Sequence, residues 1–270
     1  MYVCCFIKKS EGFGLIYLSL SKIMPKFFLP NDSVPADVVP ETVSIVGSDA
    51  HHLSRVLRAR IGEELAVSDM RRRIFRGKIT HISDDEVIVT VETVAKDESE
   101  PTVEVTLYQA LAKGDKFDTV IQKAVECGVS RIVPVVCERC VVKLDEQNAV
   151  KKVARWQKIA DEAAKQCGRG ILPQVKEPIS FTKALECMGK DDFPFMCYEG
   201  DGVVPIKQLL STKSAMTYSF IIGPEGGFST AECEAAKKIM PLCGLGKRIL
   251  RTETASSVVL SCIMYHTDNL

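Results

Sequence analysis

Hydrophobic and polar positions follow two different rhythms along this chain. From Met24 to about Lys96, short segments of alternating character are separated by Pro, Gly and Asp, a pattern typical of β-strands joined by turns. The predicted strands are Thr42–Val46, Glu64–Ser68, Ile74–Ile82 and Glu86–Val94. The pattern predicts a small β-barrel over residues 24–96, before a polar segment at 96–101.

Beyond that segment, strand-like and helix-like stretches alternate. The predicted strands are Val103–Ala110, Arg131–Val136, Phe193–Cys197, Tyr218–Ile222 and a short run before Gly246. The predicted helices are Lys116–Cys127, Ala149–Cys167, Ser180–Met188, Thr230–Met240 and Glu253–Tyr265. Such alternation predicts an α/β domain over residues 97–270 with a mainly parallel sheet, and these sheets bind ligands beyond the carboxyl ends of their strands.

Two helices carry finer signals. The apolar residues Val153, Trp156, Ala160, Ala163 and Cys167 recur every three or four positions and predict the buried face of the long helix. Ser229 followed three residues later by Glu232 has the form of a capping box, so a helix is expected to begin just after Gly226-Gly227.

Charge and hydropathy exclude several classes of protein. The 270 residues include 46% hydrophobic side chains, enough for sizeable cores, and 35 basic side chains balance 35 acidic ones. The longest stretch without Asp, Glu, Lys or Arg is Thr254–Thr267, 14 residues, whereas a helix needs roughly 18–20 to cross a bilayer. We expect a soluble protein with no membrane partner.

The eleven cysteines are too sparse and irregular for a disulfide scaffold. Cys127, Cys167, Cys197 and Cys262 lie in apolar patterns, where reduced cysteine acts as a small hydrophobe, so we expect a reducing, cytoplasmic location. Cys137 and Cys140 form a CxxC motif, but the sequence offers no second CxxC or closely spaced His pair to complete a zinc site. No metal is expected.

Residues 1–23 do not fit either domain. Lys8 and Lys9 followed by an apolar run resemble a weak signal peptide without a small-residue cleavage site, and Met24 begins a stretch that reads like a natural start. We interpret residues 1–23 as an extension without a role in the chemistry; a targeting peptide is the alternative.

Two loops of the larger domain are candidates for chemistry. In Ile222–Ser229 an apolar strand runs into three glycines around Pro224 and Glu225, and such a turn lets a ligand lie directly on the main chain. In Cys243–Ala255 small residues and a basic run precede a predicted helix, whose amino terminus has unpaired N–H groups. Each loop has an ordinary structural alternative, a tight connection or a basic surface loop.

Basic residues cluster in the smaller domain. Residues 55–78 contain eight Lys and Arg side chains and three carboxylates, which gives a local net charge of +5. Arginine is well suited to phosphate contacts because its planar guanidinium donates two hydrogen bonds at once. The candidate RNA-binding residues are His52, Arg55, Arg58, Arg71, Arg72 and Arg73, with Lys113, Lys116 and Arg169 extending the track. Arg169 follows the long helix, so it is expected to project from a loop. A charged solvated face is the alternative.

Several motifs together resemble one known family. The loops Ile222–Phe228 (IGPEGGF) and Leu245–Ala255 (LGKRILRTETA) are similar to those of the RsmE family of 16S rRNA uridine N3-methyltransferases, in the SPOUT superfamily. Matching segments are His52–Arg58, Lys113–Lys116, Gln122–Val129 and Glu162–Arg169. The resemblance covers residue 24 to the carboxyl terminus. The chain departs from the family in having Cys127 where members usually have Leu, and Cys140 where they usually have Ser.

The resemblance implies a fold, a cofactor and partners. It implies a PUA-like barrel, an α/β domain whose carboxyl-terminal part forms a deep trefoil knot, a homodimer, and methylation of a uridine in the decoding region of the small ribosomal subunit. It places S-adenosylmethionine on Tyr198, Glu199, Gly200, Ile222, Gly223, Pro224, Glu225, Gly226, Leu245 and Gly246, with Ile249, Leu250 and Arg251 closing the pocket.

Methyl transfer to uridine N3 requires alignment and the loss of a proton. We expect Arg251 to stabilise the developing uracil anion through O2 or O4, and Glu225 to accept the proton, directly or through water. A loop-structuring carboxylate that accepts backbone N–H bonds is the alternative role for Glu225. Other readings of the whole chain are a SPOUT methyltransferase acting on tRNA or a ribose hydroxyl, and a non-catalytic RNA-binding or ribosome-assembly factor.

Overall fold

Within the residues that the structure describes, the protein contains two β-sheets, each with its own hydrophobic core. The structure is a computed structural model, which describes residues 26–30, 33–142 and 146–270. The strands are β1 (Lys26–Phe28), β2 (Thr42–Val46), β3 (Glu64–Ser68), β4 (Arg73–Ile82), β5 (Glu86–Lys96), β6 (Glu104–Ala110), β7 (Arg131–Val136), β8 (Gln174–Val175), β9 (Ile179–Ser180), β10 (Phe193–Cys197), β11 (Val204–Pro205), β12 (Thr217–Ile222) and β13 (Leu242–Gly244). The helices are α1 (Ser48–His51), α2 (Lys116–Glu126), α3 (Glu146–Cys167), α4 (Phe181–Met188), α5 (Ile206–Leu210), α6 (Thr230–Lys237) and α7 (Thr252–His266), with a π turn at His52–Val56 after α1. Every strand and helix predicted from the sequence is present; β1, β8, β9, β11, α1 and α5 were not predicted.

The first sheet curls around its own core in the order β1-β3-β4-β5-β2. Its pairs are antiparallel except β1 with β3. At the bulge between Arg76 and Gly77 the two strands approach so closely that a Cβ on Gly77 would lie 1.9 Å from Thr90 O, so only glycine fits there. Phe75, Ile79 and other inward-facing residues fill the core, as the sequence predicted for a small barrel.

The second sheet is parallel throughout, in the order β11-β13-β10-β12-β6-β7-β8, with β9 beside β7. Alternate residues of each strand point to opposite faces, as the two-residue period of a strand requires. Helices α2, α3, α5 and α7 cover one face and α4 and α6 the other. On the first face the rings of Phe117 and Trp156 pack 4.4 Å apart and join α2 to α3.

The local predictions for the helices hold in most positions. Ser229 caps α6 and forms the predicted capping box with Glu232, and Trp156, Ala160 and Ala163 are buried. The prediction that Cys167 belongs to the buried face is wrong: Cys167 is exposed, and Ala164 takes the buried position in the last turn of α3.

Polar contacts join the first sheet to the loop after α3: Lys26 Nζ donates to Gly168 O at 2.6 Å, and Ser68 Oγ donates to Gly170 O at 2.5 Å. Lys26 Nζ also donates to Asp97 Oδ2 at 2.8 Å. In the same loop, Arg169 forms a buried ion pair with Glu100, with Oε2 2.7 Å from Nη2. The prediction that Arg169 projects from a loop to bind RNA is therefore wrong: only 5% of Arg169 is exposed, and its guanidinium also donates to the carbonyl of Val129. Its positive charge is neutralised inside the protein.

The helices and strands described above leave three expectations from the sequence untested. The trefoil knot and the division at residues 96 and 97 stay predictions. The interpretation of residues 1–23 lies outside the described residues. Within the described ranges, no helix is long and apolar enough to pass through a membrane, and no group of three or more His, Cys, Asp or Glu side chains is arranged to hold a metal ion.

Candidate functional site

A cavity of about 460 Å³ opens where three neighbouring strands end. Strands β13, β10 and β12 are adjacent in the parallel sheet, so the loops that follow their carboxyl ends converge there. The wall consists of residues 197–199, 203, 222–225, 227, 244–253 and 255, with Lys116 from α2. The two loops that the sequence marked as candidates, which α6 separates along the chain, thus face the same space.

Glycines let the main chain form part of this wall. Gly227 has φ +67°, its N–H donates to Pro224 O at 2.9 Å, and a Cβ there would lie 2.6 Å from Glu199 Oε1. A Cβ on Gly244 would lie 2.7 Å from Val203, and Gly246 has φ +99°. These loops can therefore approach one another and a ligand only because the side chains are absent.

A buried hydrogen-bond chain fixes the glycine loop to helix α7. Gln109 Nε2 donates to Thr252 Oγ1 at 2.8 Å, and Thr252 Oγ1 donates to Gly223 O at 2.8 Å. Gln109 is fully buried at the end of β6. Neither residue was predicted; the available signal was Gln109, a polar residue inside a predicted strand of the parallel sheet, which needs a buried partner.

Glu225 is held at the mouth of the cavity by α2 and the chain before it. Its Oε1 accepts from Lys116 Nζ at 2.7 Å and from Lys113 N at 3.3 Å. Partial burial raises the pKa of Glu225, but the Lys116 hydrogen bond and backbone N–H bonds outweigh it, so the pKa lies below its ordinary value. A carboxylate held in this way is a weak base, and the geometry favours its loop-structuring role.

Arg251 stands at the amino terminus of α7 and lines the cavity. It is exposed, and among the described residues its guanidinium has no carboxylate within ion-pair distance. Two residues further on, Glu253 Oε2 is buried and has no hydrogen-bond partner within residues 26–30, 33–142 and 146–270. The cavity wall thus presents the exposed guanidinium of Arg251 and, among the described residues, an acceptor oxygen of Glu253 without a hydrogen bond.

The remaining predicted cofactor residues divide into two groups. Tyr198, Glu199, Leu245, Ile249 and Leu250 line the cavity, and Ile249 is 88% exposed at its rim. Gly200 and Gly226 do not line it. A Cβ on Gly200 would meet the Tyr198 ring at 2.4 Å, and Gly226 packs against Arg139, whose Nη1 donates to Gly226 O at 3.0 Å.

Comparison with known proteins identifies the family of this chain. The RNA methyltransferase domain family matches residues 98–264, and the RNA methyltransferase PUA domain family matches residues 46–92. The ribosomal RNA small subunit methyltransferase E of Bacillus subtilis (strain 168) is 33% identical over 253 residues, which cover 92% of this chain and 98% of that protein. The chain belongs to the ribosomal RNA small subunit methyltransferase E family.

Further members of the methyltransferase E family match this chain over most of their own length. The protein of Synechocystis sp. (strain ATCC 27184 / PCC 6803 / Kazusa) is 32% identical over 243 residues, 85% of this chain and 75% of that protein. The crystal structure of the Neisseria gonorrhoeae enzyme bound to S-adenosyl methionine has a TM-score of 0.78 and 30% identity, and the match covers 90% of this chain and 97% of that one. The family resemblance inferred from the sequence motifs is confirmed.

The basic residues of this methyltransferase E family member are in different environments. His52, Arg55 and Arg58 are exposed on the segment after α1, where Arg55 pairs with Asp84 on the surface. The Arg73 Nε donates to Asp69 Oδ2 at 2.5 Å, and Arg72 donates to the carbonyls of residues 100 and 101. The guanidinium groups of Arg72 and Arg73 therefore hydrogen-bond mainly within the protein, which leaves fewer of their donors for RNA phosphates.

Proposed function

We propose that this protein transfers a methyl group from S-adenosylmethionine to N3 of a uridine in the decoding region of 16S rRNA. The observation that carries the proposal is the convergence of the two motif loops, Ile222–Phe228 and Leu245–Ala255, on one cavity at the carboxyl ends of β10, β12 and β13. Membership of the methyltransferase E family supports the same substrate class.

The residues of the cavity fit S-adenosylmethionine. Its adenosine and methionine parts need close main-chain contacts, which Gly223, Gly227 and Gly246 leave open. The unpaired Oε2 of Glu253 suits a cationic group such as the methionine ammonium, and the aliphatic side chains of Leu245 and Leu250 suit an adenine ring. When bound, the cofactor supplies an electrophilic methyl group on a sulfonium.

In this proposal the protein contributes alignment and charge stabilisation. Positioning two reacting groups can supply roughly 7–11 kcal/mol of a barrier, and the Gln109–Thr252–Gly223 chain holds the loop that does so. Arg251, which forms no ion pair in the part of the chain that the structure describes, stabilises the negative charge that develops on uracil as N3 loses its proton. Glu225 holds the loop against Lys113 and Lys116 instead of accepting that proton.

RNA would reach the cavity along exposed basic residues. His52, Arg55, Arg58 and Arg71 on the barrel and Lys113 beside the cavity are exposed, and arginines make paired hydrogen bonds to phosphate. Lys116 serves the cofactor loop through Glu225 and contributes charge to the same edge. Arg169 is not part of this surface.

The proposal extends to assembly and location. We propose a homodimer, as the resemblance to the RsmE family implies, to be tested by light scattering, and the cytoplasm as the location, where ribosomal subunits are available. The trefoil knot belongs to the same proposal.

Methylation of purified small ribosomal subunits tests the function. Subunits lacking the modification are incubated with protein and S-adenosylmethionine labelled on its methyl group, and the nucleosides are then separated. N3-methyluridine as the labelled product supports the proposal. A label on ribose or only on tRNA points to another SPOUT activity, and calorimetry that finds no cofactor binding points to a non-catalytic assembly factor.

A further inference from the structure

A pair of cysteines lies behind the glycine loop, outside the cavity. Cys137 and Cys140 occupy the ends of a tight turn just after β7, in which Cys140 N donates to Cys137 O at 3.1 Å. The Cys137 N–H also donates to Cys140 Sγ at 3.3 Å. Cys137 is buried and Cys140 is half-buried, so a small reagent reaches Cys140 first.

The two thiols have different acidities. Hydrogen bonding from the Cys137 thiol lowers the pKa of Cys140 below its ordinary value, against the effect of burial. The same hydrogen bond together with burial raises the pKa of Cys137. A thiolate is the reactive form of cysteine, and a reactive thiolate beside a second thiol is the usual arrangement of a redox-active pair.

The turn between the cysteines contacts the cofactor loop directly. Arg139 lies between them in sequence, and its Nη1 donates to Gly226 O at 3.0 Å. The adjacent Glu138 N donates at 2.9 Å to Glu232 Oε1, in the capping box that begins α6. A change in the shape of this turn therefore acts on both ends of the segment that links β12 to α6.

We propose that Cys137 and Cys140 are a peroxide-sensitive dithiol whose disulfide loosens the glycine loop and weakens cofactor binding. This inference rests on the proposed function for its effect on the cofactor, but not for the oxidation itself. Disulfides that form and break in the cytosol commonly serve redox sensing.

The oxidation consumes one peroxide. The Cys140 thiolate attacks one oxygen of hydrogen peroxide, the O–O bond breaks, and the departing hydroxide takes up a proton to give water, leaving Cys140 as a sulfenic acid. The Cys137 sulfur then attacks the Cys140 sulfur; an S–S bond forms, and the sulfenic hydroxyl leaves as water with the Cys137 proton. Two thiols are oxidised and one peroxide is reduced to two waters.

The disulfide changes the turn because the two sulfurs must approach to about 2.05 Å. That distance is much shorter than a hydrogen-bond contact between thiols. In this proposal the turn of residues 137–140 changes shape as Cys140 Sγ leaves its hydrogen bond with Cys137 N, and the Arg139 hydrogen bond to Gly226 is lost. Loss of one hydrogen bond of ~1 kcal/mol corresponds to about a fivefold weaker affinity for S-adenosylmethionine.

Trypsin provides a direct readout of the bond. It cleaves after Arg139, between the two cysteines, and so separates the peptides 132–139 and 140–143. After treatment of the whole protein with hydrogen peroxide, we expect mass spectrometry to find these two peptides joined, and dithiothreitol to separate them. Calorimetry on undigested protein from the same peroxide treatment should show the fivefold loss of affinity for S-adenosylmethionine. Dithiothreitol should restore the affinity.

Variants separate this effect from other oxidation. Cys140→Ser and Cys137→Ser should bind the cofactor with unchanged affinity before and after peroxide. Cys167→Ser, which removes an exposed cysteine elsewhere, should respond like the unaltered protein. Separate peptides after oxidation, or joined peptides with unaltered affinity, would overturn the proposal. If the reduced protein binds no S-adenosylmethionine, the proposed function fails, while the joined peptides still report on the dithiol.

Discussion

Replacing Glu100 by Gln should destabilise the protein strongly, because Glu100 neutralises the buried guanidinium of Arg169. Glu100 Oε1 accepts from the backbone N–H groups of Gly170 at 2.8 Å and Ile171 at 3.0 Å, and both carboxylate oxygens accept from Arg169. Only 7% of Glu100 and 5% of Arg169 are exposed. Removing one partner of such a pair costs about 3–5 kcal/mol, since the remaining charge stays buried and unpaired.

Urea unfolding followed by circular dichroism measures this cost as a free energy of unfolding, and heating followed by the same signal measures the change in Tm. In a chain of this size each kcal/mol lowers Tm by roughly 2–4 °C, so Glu100→Gln should lower Tm by roughly 6–20 °C. The double variant Glu100→Gln/Arg169→Met should recover part of the loss, because it also removes the unpaired charge.

The matched control is an ion pair on the surface. Lys183 and Glu186 are each 58% exposed and 2.9 Å apart, and exposed pairs contribute about 0–1 kcal/mol. Glu186→Gln should therefore change the free energy of unfolding by less than about 1 kcal/mol. If Glu100→Gln costs no more than this control, the buried pair does not stabilise the protein, and our explanation of Arg169 is wrong.

Three further predictions concern the cavity and the ion pair of Lys26. Arg251→Ala should lower the single-turnover rate of methylation by about 10²–10³ with little change in cofactor affinity, and Arg251→Lys should lose less; an undiminished rate for Arg251→Ala would exclude its proposed role. Gly227→Ala should weaken cofactor binding in calorimetry, because φ is +67° and the new Cβ would lie 2.6 Å from Glu199 Oε1; unchanged affinity would contradict the close approach. Burial raises the pKa of Asp97, but hydrogen bonds from Lys26 and Ser99 bring it below its ordinary value. Its stabilising contribution should be complete above the unfolded pKa and decline as pH falls through the lower folded pKa, a decline that urea unfolding should find absent in Asp97→Asn.

Much of the secondary structure could be predicted because its causes are local. The strands Thr42–Val46, Glu64–Ser68 and Arg131–Val136 have the predicted bounds, since alternating or continuous apolar runs fix them. The capping box of Ser229 depends on residues three apart. Strands β8, β9 and β11 have two residues each, too few to produce a period, so they could not be predicted.

The site could be predicted in part. The glycine loop and the basic loop before α7 were identified because Gly and closely spaced charged residues are visible in sequence. Their meeting in one cavity was not predictable from spacing, because it depends on the order β13-β10-β12 in the sheet. The role of Gln109 was missed for the same reason, since its partner Thr252 lies 143 residues away.

Sequence by itself determined the two kinds of domain and most bounds of the helices and strands. It also determined the glycines that let a ligand lie directly on the main chain. Tertiary structure decided which charges remain available. Arg169 and Arg251 look alike in sequence, each in a loop beside a helix end, yet Glu100, 69 residues distant, buries the first, while the second stays exposed at the cavity. The reason is that the free energy of a charge depends on its neighbours in space, and folding brings those neighbours from distant parts of the chain.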